Sequence, residues 1–224
     1  MINNPFNYRF GKLERVDKGG WRFYVTPAGT FPSVTTVLSL GADEKWLDEW
    51  KARVGEEEAA RVSARATRRG EAIHSFAEQY LLGETPRPSI VDREVWTAFK
   101  PFVQRISDVE CLETRLYSAK LRAAGTVDCI GKFDGERAII DFKTSRWGMK
   151  TDEDIHDYFI QESAYSFAYA ELTNSQPIRT LVTIIANDDL KPQLFVRPLK
   201  ITYIQDFLHY REKADLYFQQ QGVL

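Results

Sequence analysis

A chain of 224 residues with 43% apolar and 28% charged side chains can bury a core of its own, which excludes disorder as its main state. Its net charge of -2 gives no global signature of a nucleic-acid binder, so any such role must rest on local clusters. Two cysteines, Cys111 and Cys129, exclude a disulfide framework and a four-thiolate metal cluster.

The first predicted element is a hairpin in which 21–25 and 31–38 flank the turn-forming Pro27-Ala28-Gly29. Residues 43–82 read as helical, with Gly55 and Gly70 as the expected breaks between three pieces. The last piece aligns Ile73, Phe76, Ala77, Tyr80 and Leu81 on one face, and Gly83 ends it. Pro86-Arg87-Pro88 begins a linker, after which 92–106 is helical with Val95, Phe99, Phe102 and Val103 inward. From Val109 the period falls to two, predicting strands over 109–118, 125–133 and 137–142 in which both cysteines are buried small hydrophobes. A helix over 158–172, strands over 179–186 and 193–198, and a closing helix follow. That last helix opens with Thr202 and Gln205 in capping-box spacing. The order predicts one α/β (α+β) domain over 1–224: a hairpin segment 1–42, a helical region 43–106, a sheet core 107–200 and a C-terminal helix 201–224.

Chemistry concentrates between Gly125 and Lys143. Asp134-Gly135 is a strong two-residue hairpin signal, and it pairs Phe133 with Glu136. Counting back from that pair, partner numbers keep a constant sum and Asp128 falls opposite Asp141, with Cβ atoms roughly 5 Å apart. Opposed carboxylates repel, and a bound cation removes the objection. Lys143 shares a strand face with Asp141, while Phe142 turns to the other side. A four-residue loop would instead oppose Asp128 to Lys143, which keeps the cluster together. A surface ion pair is the plain alternative. His74 and Glu78, like Gln161 and Tyr165, stand four apart on predicted helices, where core packing is the ordinary role. Arg61, Arg65, Arg68 and Arg69 crowd one helix side, either as a solvated face balanced by Glu56, Glu57 and Glu58 or as phosphate contacts.

Arg69-Gly70-x-x-x-His74-x-x-x-Glu78, Gly125-x-x-Asp128, Ile140-Asp141-Phe142-Lys143-Thr144-Ser145 and Gln161-x-x-x-Tyr165 together resemble the RecB-type branch of the PD-(D/E)xK nuclease superfamily, over roughly 30–200. Phe31-Pro32-Ser33-Val34-Thr35-Thr36-Val37-Leu38 is similar to the N-terminal block of its mitochondrial genome maintenance exonucleases and related phage exonucleases. The resemblance implies a restriction-endonuclease-like core: a central mixed sheet flanked by helices, with an N-terminal hairpin and a helical arch. It implies metal ligation by His74, Asp128, Asp141, the Phe142 carbonyl and Glu113, and catalytic roles for Asp128, Asp141, Lys143, Gln161 and Tyr165. Nucleic acid is then expected against Arg61, Arg65, Arg68, Arg69, Ser33, Thr35, Thr144 and Ser145.

The expected activity is that of a deoxyribonuclease using Mg2+ or Mn2+, with the histidine favouring manganese. Four cysteines would be needed for the iron-sulfur relatives, so no such cluster is expected. DNA, preferably single-stranded, is the expected substrate, in recombination, repair or replication, with a single-strand-binding or recombination protein as partner. A structure-specific endonuclease and a catalytically silent nucleic-acid-binding module are the alternatives. The N-terminal Met1-Ile2-Asn3-Asn4-Pro5 reads as no presequence and no run reaches membrane-spanning length, so a bacterial or phage-infected cytoplasm is the expected setting.

Overall fold

The structure, a computed structural model, describes residues 4–6, 9–41, 52–53, 55–146 and 148–223. Strands β1 (Glu14–Lys18), β2 (Trp21–Thr26) and β3 (Gly29–Pro32) form a small antiparallel sheet. β1 was not expected. It follows from Gly19-Gly20, whose positive φ angles of 60° and 82° make the two-residue turn that pairs Lys18 with Trp21.

The predicted second hairpin arm, 31–38, is corrected: pairing stops at Pro32, and α1 (Val34–Gly41) begins. Ser33 caps it, its Oγ accepting the Thr36 N–H at 2.9 Å and its carbonyl the Val37 N–H at 3.0 Å. Val34, Val37, Leu38 and Gly41 are buried at helical spacing, a period that the β-branched residues around them disguise as strand.

The expected break at Gly70 is also absent. α2 runs unbroken from Glu56 to Leu81, with Gly55 just before it at φ 86°. One helical glycine costs about 1 kcal/mol, and burial of Ile73, Phe76 and Ala77 against the sheet outweighs that. The earliest expected piece falls largely on 42–51 and 54, outside the described residues. α3 (Arg93–Val103) buries Val95, Trp96, Phe99 and Val103, with Phe102 partly covered.

Five strands form the main sheet in the order β4 (Ile106–Ser118), β5 (Ala123–Phe133), β6 (Glu136–Ser145), β7 (Thr180–Asn187), β8 (Gln193–Pro198). All neighbours are antiparallel except β6 and β7, whose parallel pairing requires the crossover helix α4 (His156–Thr173) between them. α5 (Ile201–Gln220) closes the fold. Its cap is Lys200, so Thr202 lies inside the helix and the expected capping box does not form.

Alternation along the strands divides the core. Ile130, Ile139 and Leu181 face α1, α4 and α5 with Phe159 and Phe207. Cys129, Ile140, Phe142 and Val182 face α2 and α3 with Ile73 and Phe99. The result is the mixed sheet flanked by helices that was expected, and both cysteines are buried and free. No helix of the described residues is long and apolar enough to cross a membrane.

Candidate active site

The β5–β6 hairpin turns at Asp134 and Gly135, both at positive φ, and pairs Phe133 with Glu136. Pairing runs in register to Cys129–Ile140. Beyond that pair the ladder ends, and the Asp128 carboxylate reaches across to β6 instead: its Oδ2 accepts the Phe142 N–H at 2.8 Å. On the other side, the pairs Leu112–Cys129 and Thr114–Val127 bracket Glu113 and set it abreast of Asp128. Glu113 and Asp128 therefore share one level on adjacent strands, and Asp141 stands on the next strand, beside the Phe142 amide that Asp128 accepts from. Glu113 has φ 47°, a left-handed conformation costing on the order of 1–3 kcal/mol in a non-glycine residue.

α2 brings His74 over this level. Its Nδ1 lies 3.5 Å from Glu113 Oε1 and 3.6 Å from Asp128 Oδ2, and its ring meets Phe142 edge-on at 6.1 Å. One donor atom from each of His74, Glu113 and Asp128 lies within 4.8 Å of the others. Burial pushes the Asp128 carboxyl up, against the pull of His74 and with the repulsion of Glu113. Burial alone would lower His74, but the charges of Asp128 and Glu113 outweigh it and hold the imidazole up to about 9. The pocket favours a positive charge strongly enough to retain a proton there. One nitrogen and hard carboxylate oxygens at this spacing fit a divalent cation.

Asp141 stands beside this trio rather than within it. It is 2% exposed; its Oδ1 accepts from Gln161 Nε2 at 2.7 Å, and its Oδ2 is in ion-pair contact with Lys143 Nζ. Both carboxylate oxygens of Asp141 are thus engaged, one by Gln161 and the other by the Lys143 ammonium. Burial pushes the Asp141 carboxyl up to about 6 despite Lys143. For Lys143, burial opposes the charge, yet Asp141 and Asp128 outweigh burial and keep it cationic. Its Nζ also sits 5.1 Å from the centre of the Tyr158 ring. Lys143 and Asp141 share a face, and Phe142 packs on the opposite one, as the alternation predicts.

His74, Glu113, Asp128, Lys143, Gln161 and Tyr165 border one cavity of about 330 Å3, with Ser33 and Thr35 on its wall. Gly125 belongs to the same wall, and a Cβ there would lie 2.7 Å from the Tyr165 hydroxyl, so any side chain would displace the tyrosine. The arginines of α2 lie elsewhere. Arg65 and Arg69 border a neighbouring groove with Thr144 and Ser145. Arg69, 12% exposed, lies 3.4 Å from Asp92 and 3.5 Å from Asp188, and Arg65 is 3.7 Å from Asp188. Arg61 bonds both carboxylate oxygens of Glu58 at 2.8 Å, while Arg68 is exposed. Glu78 binds the Asn4 side chain at 2.8 Å and is not one of the clustered donors.

Sequence reasoning missed Arg15, Arg22 and Arg115, which border the main cavity. The Gly19-Gly20 turn was the legible signal for the first two, because it creates the strand pair that carries them. It also missed Glu162, wholly buried beside Gln161 on α4, accepting from Thr183 Oγ1 and pushed well above the usual carboxyl range by burial and by Asp141. The polar run Gln161-Glu162-Ser163 inside an otherwise apolar helix was its only trace.

A family model described as the PD-(D/E)XK nuclease superfamily matches residues 39–217. Mitochondrial genome maintenance exonuclease 1 of Xenopus tropicalis is 30% identical over 152 residues, covering 61% of this chain and 42% of its own length. The human protein of that name is 26% identical over 176 residues, covering 72% and 50%. The chain thus spans half or less of the length of these relatives. A solved protein from Eubacterium rectale, 15% identical, aligns over 70% of this chain and 69% of its own with a TM-score of 0.46, too low to argue from. The family match covers most of the chain and takes in His74, Glu113, Asp128, Asp141 and Lys143; the chain belongs to the PD-(D/E)XK nuclease superfamily.

Proposed function

We propose that the protein is a DNA exonuclease that depends on Mn2+ or Mg2+ and prefers single-stranded DNA, acting in recombination, repair or replication alongside a single-strand-binding or recombination protein. The observation that carries the nuclease reading is the His74, Glu113 and Asp128 donor set opening onto the same cavity as Lys143. Exonuclease action is supported by the names of the relatives.

In this reading His74, Glu113 and Asp128 hold the cation, with Asp141 and the Phe142 carbonyl completing its surroundings. The ion, when bound, supplies positive charge that polarises a phosphoryl oxygen and lowers the pKa of water. Lys143 stabilises charge developing on the scissile phosphate and orients the attacking water. Gln161, bonded to Asp141 Oδ1, fixes that carboxylate so that its other oxygen faces Lys143. Tyr165, seated against Gly125, shapes the cavity wall. Ser33 and Thr35 contact the strand inside the cavity, Arg65, Arg69, Thr144 and Ser145 guide it along the adjoining groove, and Arg61 and Arg68 add exposed positive charge on the same helix.

End-labelled linear single-stranded DNA, linear duplex and closed-circular single-stranded DNA, each with Mn2+, Mg2+ or EDTA, test this. The expected result is degradation of linear DNA with metal only, fastest on single strands, with the circle intact. Cleavage of the circle would make the protein an endonuclease. Cleavage undiminished in EDTA would remove the metal from the account.

A further inference from the structure

The cavity has two opposite charge characters. His74, Glu113 and Asp128 border it, and so do three arginines, Arg15 from β1, Arg22 from β2 and Arg115 from β4. Among the described residues none of the three has a carboxylate partner, although the fold pairs most arginines elsewhere with acids. Asp17, which pairs with Arg22 across the hairpin, uses its carboxylate on the Gly20 N–H instead.

Their placement is built rather than incidental. Arg15 pairs with Tyr24 and Arg22 with Asp17, so the two arginines are diagonal neighbours on one face of the β1–β2 ribbon, their backbones roughly 7–8 Å apart. Tyr24 is 3% exposed and packs with Leu13 and Ala124. The Arg115 guanidinium lies 5.9 Å from the Tyr24 ring centre and donates to the Leu13 carbonyl, which pins it at the cavity edge. Arg22 stands near enough to Tyr165 to oppose the strong rise that burial gives its hydroxyl. Like charges gathered in a concave surface repel, and Asp17 and Glu113, acids near them on the strands, form no ion pair with any of the three among the described residues. The planar fork of arginine matches phosphate oxygens, and contacts of that kind position a nucleic-acid strand without reading its bases.

Resting on the nuclease reading, we propose that the N-terminal sheet is a phosphate clamp: Arg15, Arg22 and Arg115 hold the phosphate next to the scissile one and so lay the strand across the acid cluster. The clamp is distinct from the arginines of α2, which lie on a neighbouring groove and are largely engaged by Glu58, Asp92 and Asp188. The shared chemistry is a phosphate oxyanion, from either a strand terminus or the internal backbone.

The test is Arg15→Ala with Arg22→Ala in the full chain; Arg115 is left in place because it also holds Leu13. Fluorescence anisotropy in EDTA measures binding of labelled oligothymidylate across a salt series, with and without a terminal phosphate. The clamp predicts at least about a tenfold loss of affinity at low salt and a salt slope shallower by about one to two units. Mn2+ affinity, measured by calorimetry, stays that of the wild type and reports that the fold and the acid cluster are intact. A loss confined to end-phosphorylated DNA assigns the clamp to a terminal phosphate; an equal loss on both assigns it to the internal backbone. Unchanged affinity and slope, with the wild type still binding and cleaving, overturn the clamp alone. A wild type that neither binds nor cleaves DNA overturns the nuclease reading and the clamp with it. Arg22→Lys, which keeps the charge but not the fork, should fall between wild type and the double variant.

Discussion

Replacing Lys143 by alanine is expected to lower the cleavage rate on saturating linear DNA at least about a hundredfold, the loss found when one charge-stabilising donor is removed from a catalytic site. Lys143 is the cation nearest Asp141, it stays protonated against its burial, and it borders the cavity with the donor trio. In the proposed mechanism its contribution belongs to the transition state, where charge on the phosphate grows. The rate constant should therefore fall much more than the affinity for DNA. Removing it also leaves Asp141 buried without its partner, so the variant must be shown folded by its Mn2+ affinity and melting curve. A folded variant that cleaves at the wild-type rate would take Lys143 out of the mechanism.

The second large effect concerns stability. Several groups bind protons more tightly in the folded protein than in the unfolded chain, the Asp128 and Glu162 carboxyls among them, and two define pH windows: His74, raised from 6.5 to about 9, and Asp141, raised from 3.8 to about 6. A raised folded-state pKa gives stability that is present below the unfolded value and lost as pH climbs through the folded one. Without metal, the protein should lose stability through the Asp141 window from about pH 4 to 6 and again through the His74 window from about 6.5 to 9. For His74 the loss is on the order of 3 kcal/mol. A bound divalent ion takes the place of the His74 proton, and its affinity rises with pH because the proton no longer competes. Urea unfolding at pH 6 and pH 8.5 should thus show stability falling with pH in EDTA, with that fall abolished or reversed by saturating Mn2+. His74→Asn isolates the histidine's share. A slope in EDTA that is flat, or the same in wild type and His74→Asn, would contradict the electrostatics described for the trio.

The parts of this site that could be read from sequence are those fixed by local counting. Asp134-Gly135 defines its turn by itself, so the register from Phe133–Glu136 to Cys129–Ile140 follows by counting and brings Asp128 to the Phe142 amide of β6. The same holds for Lys143 beside Asp141, whereas counting puts Gln161 and Tyr165 only four apart on one helix and the resemblance alone implied a role for them at the site. Glu113 resists such counting because β4 shifts register against β5 between Ser107 and Cys111, and because its own backbone is left-handed. The helix α1 was hidden because Val34, Thr35, Thr36 and Val37 favour strand locally, while the decisive force is the cap of Ser33 and burial of one helical face. The acids beside Arg69, Asp92 and Asp188, could not be read from the helix because they lie far along the chain. The arginines of β1, β2 and β4 are joined only by packing of the small sheet on Leu13, Tyr24 and Ala124. No periodicity in a single segment reports that.

The proposed chemistry depends on a divalent ion being held where His74 meets the acids, and calorimetric titration of Mn2+ into wild type and Asp128→Asn tests it most directly. The structure predicts saturable binding to the wild type, and a loss in the variant exceeding the roughly 10–100-fold that follows when only a ligand's supporting partner is removed. Equal Mn2+ affinity in the two proteins would contradict it.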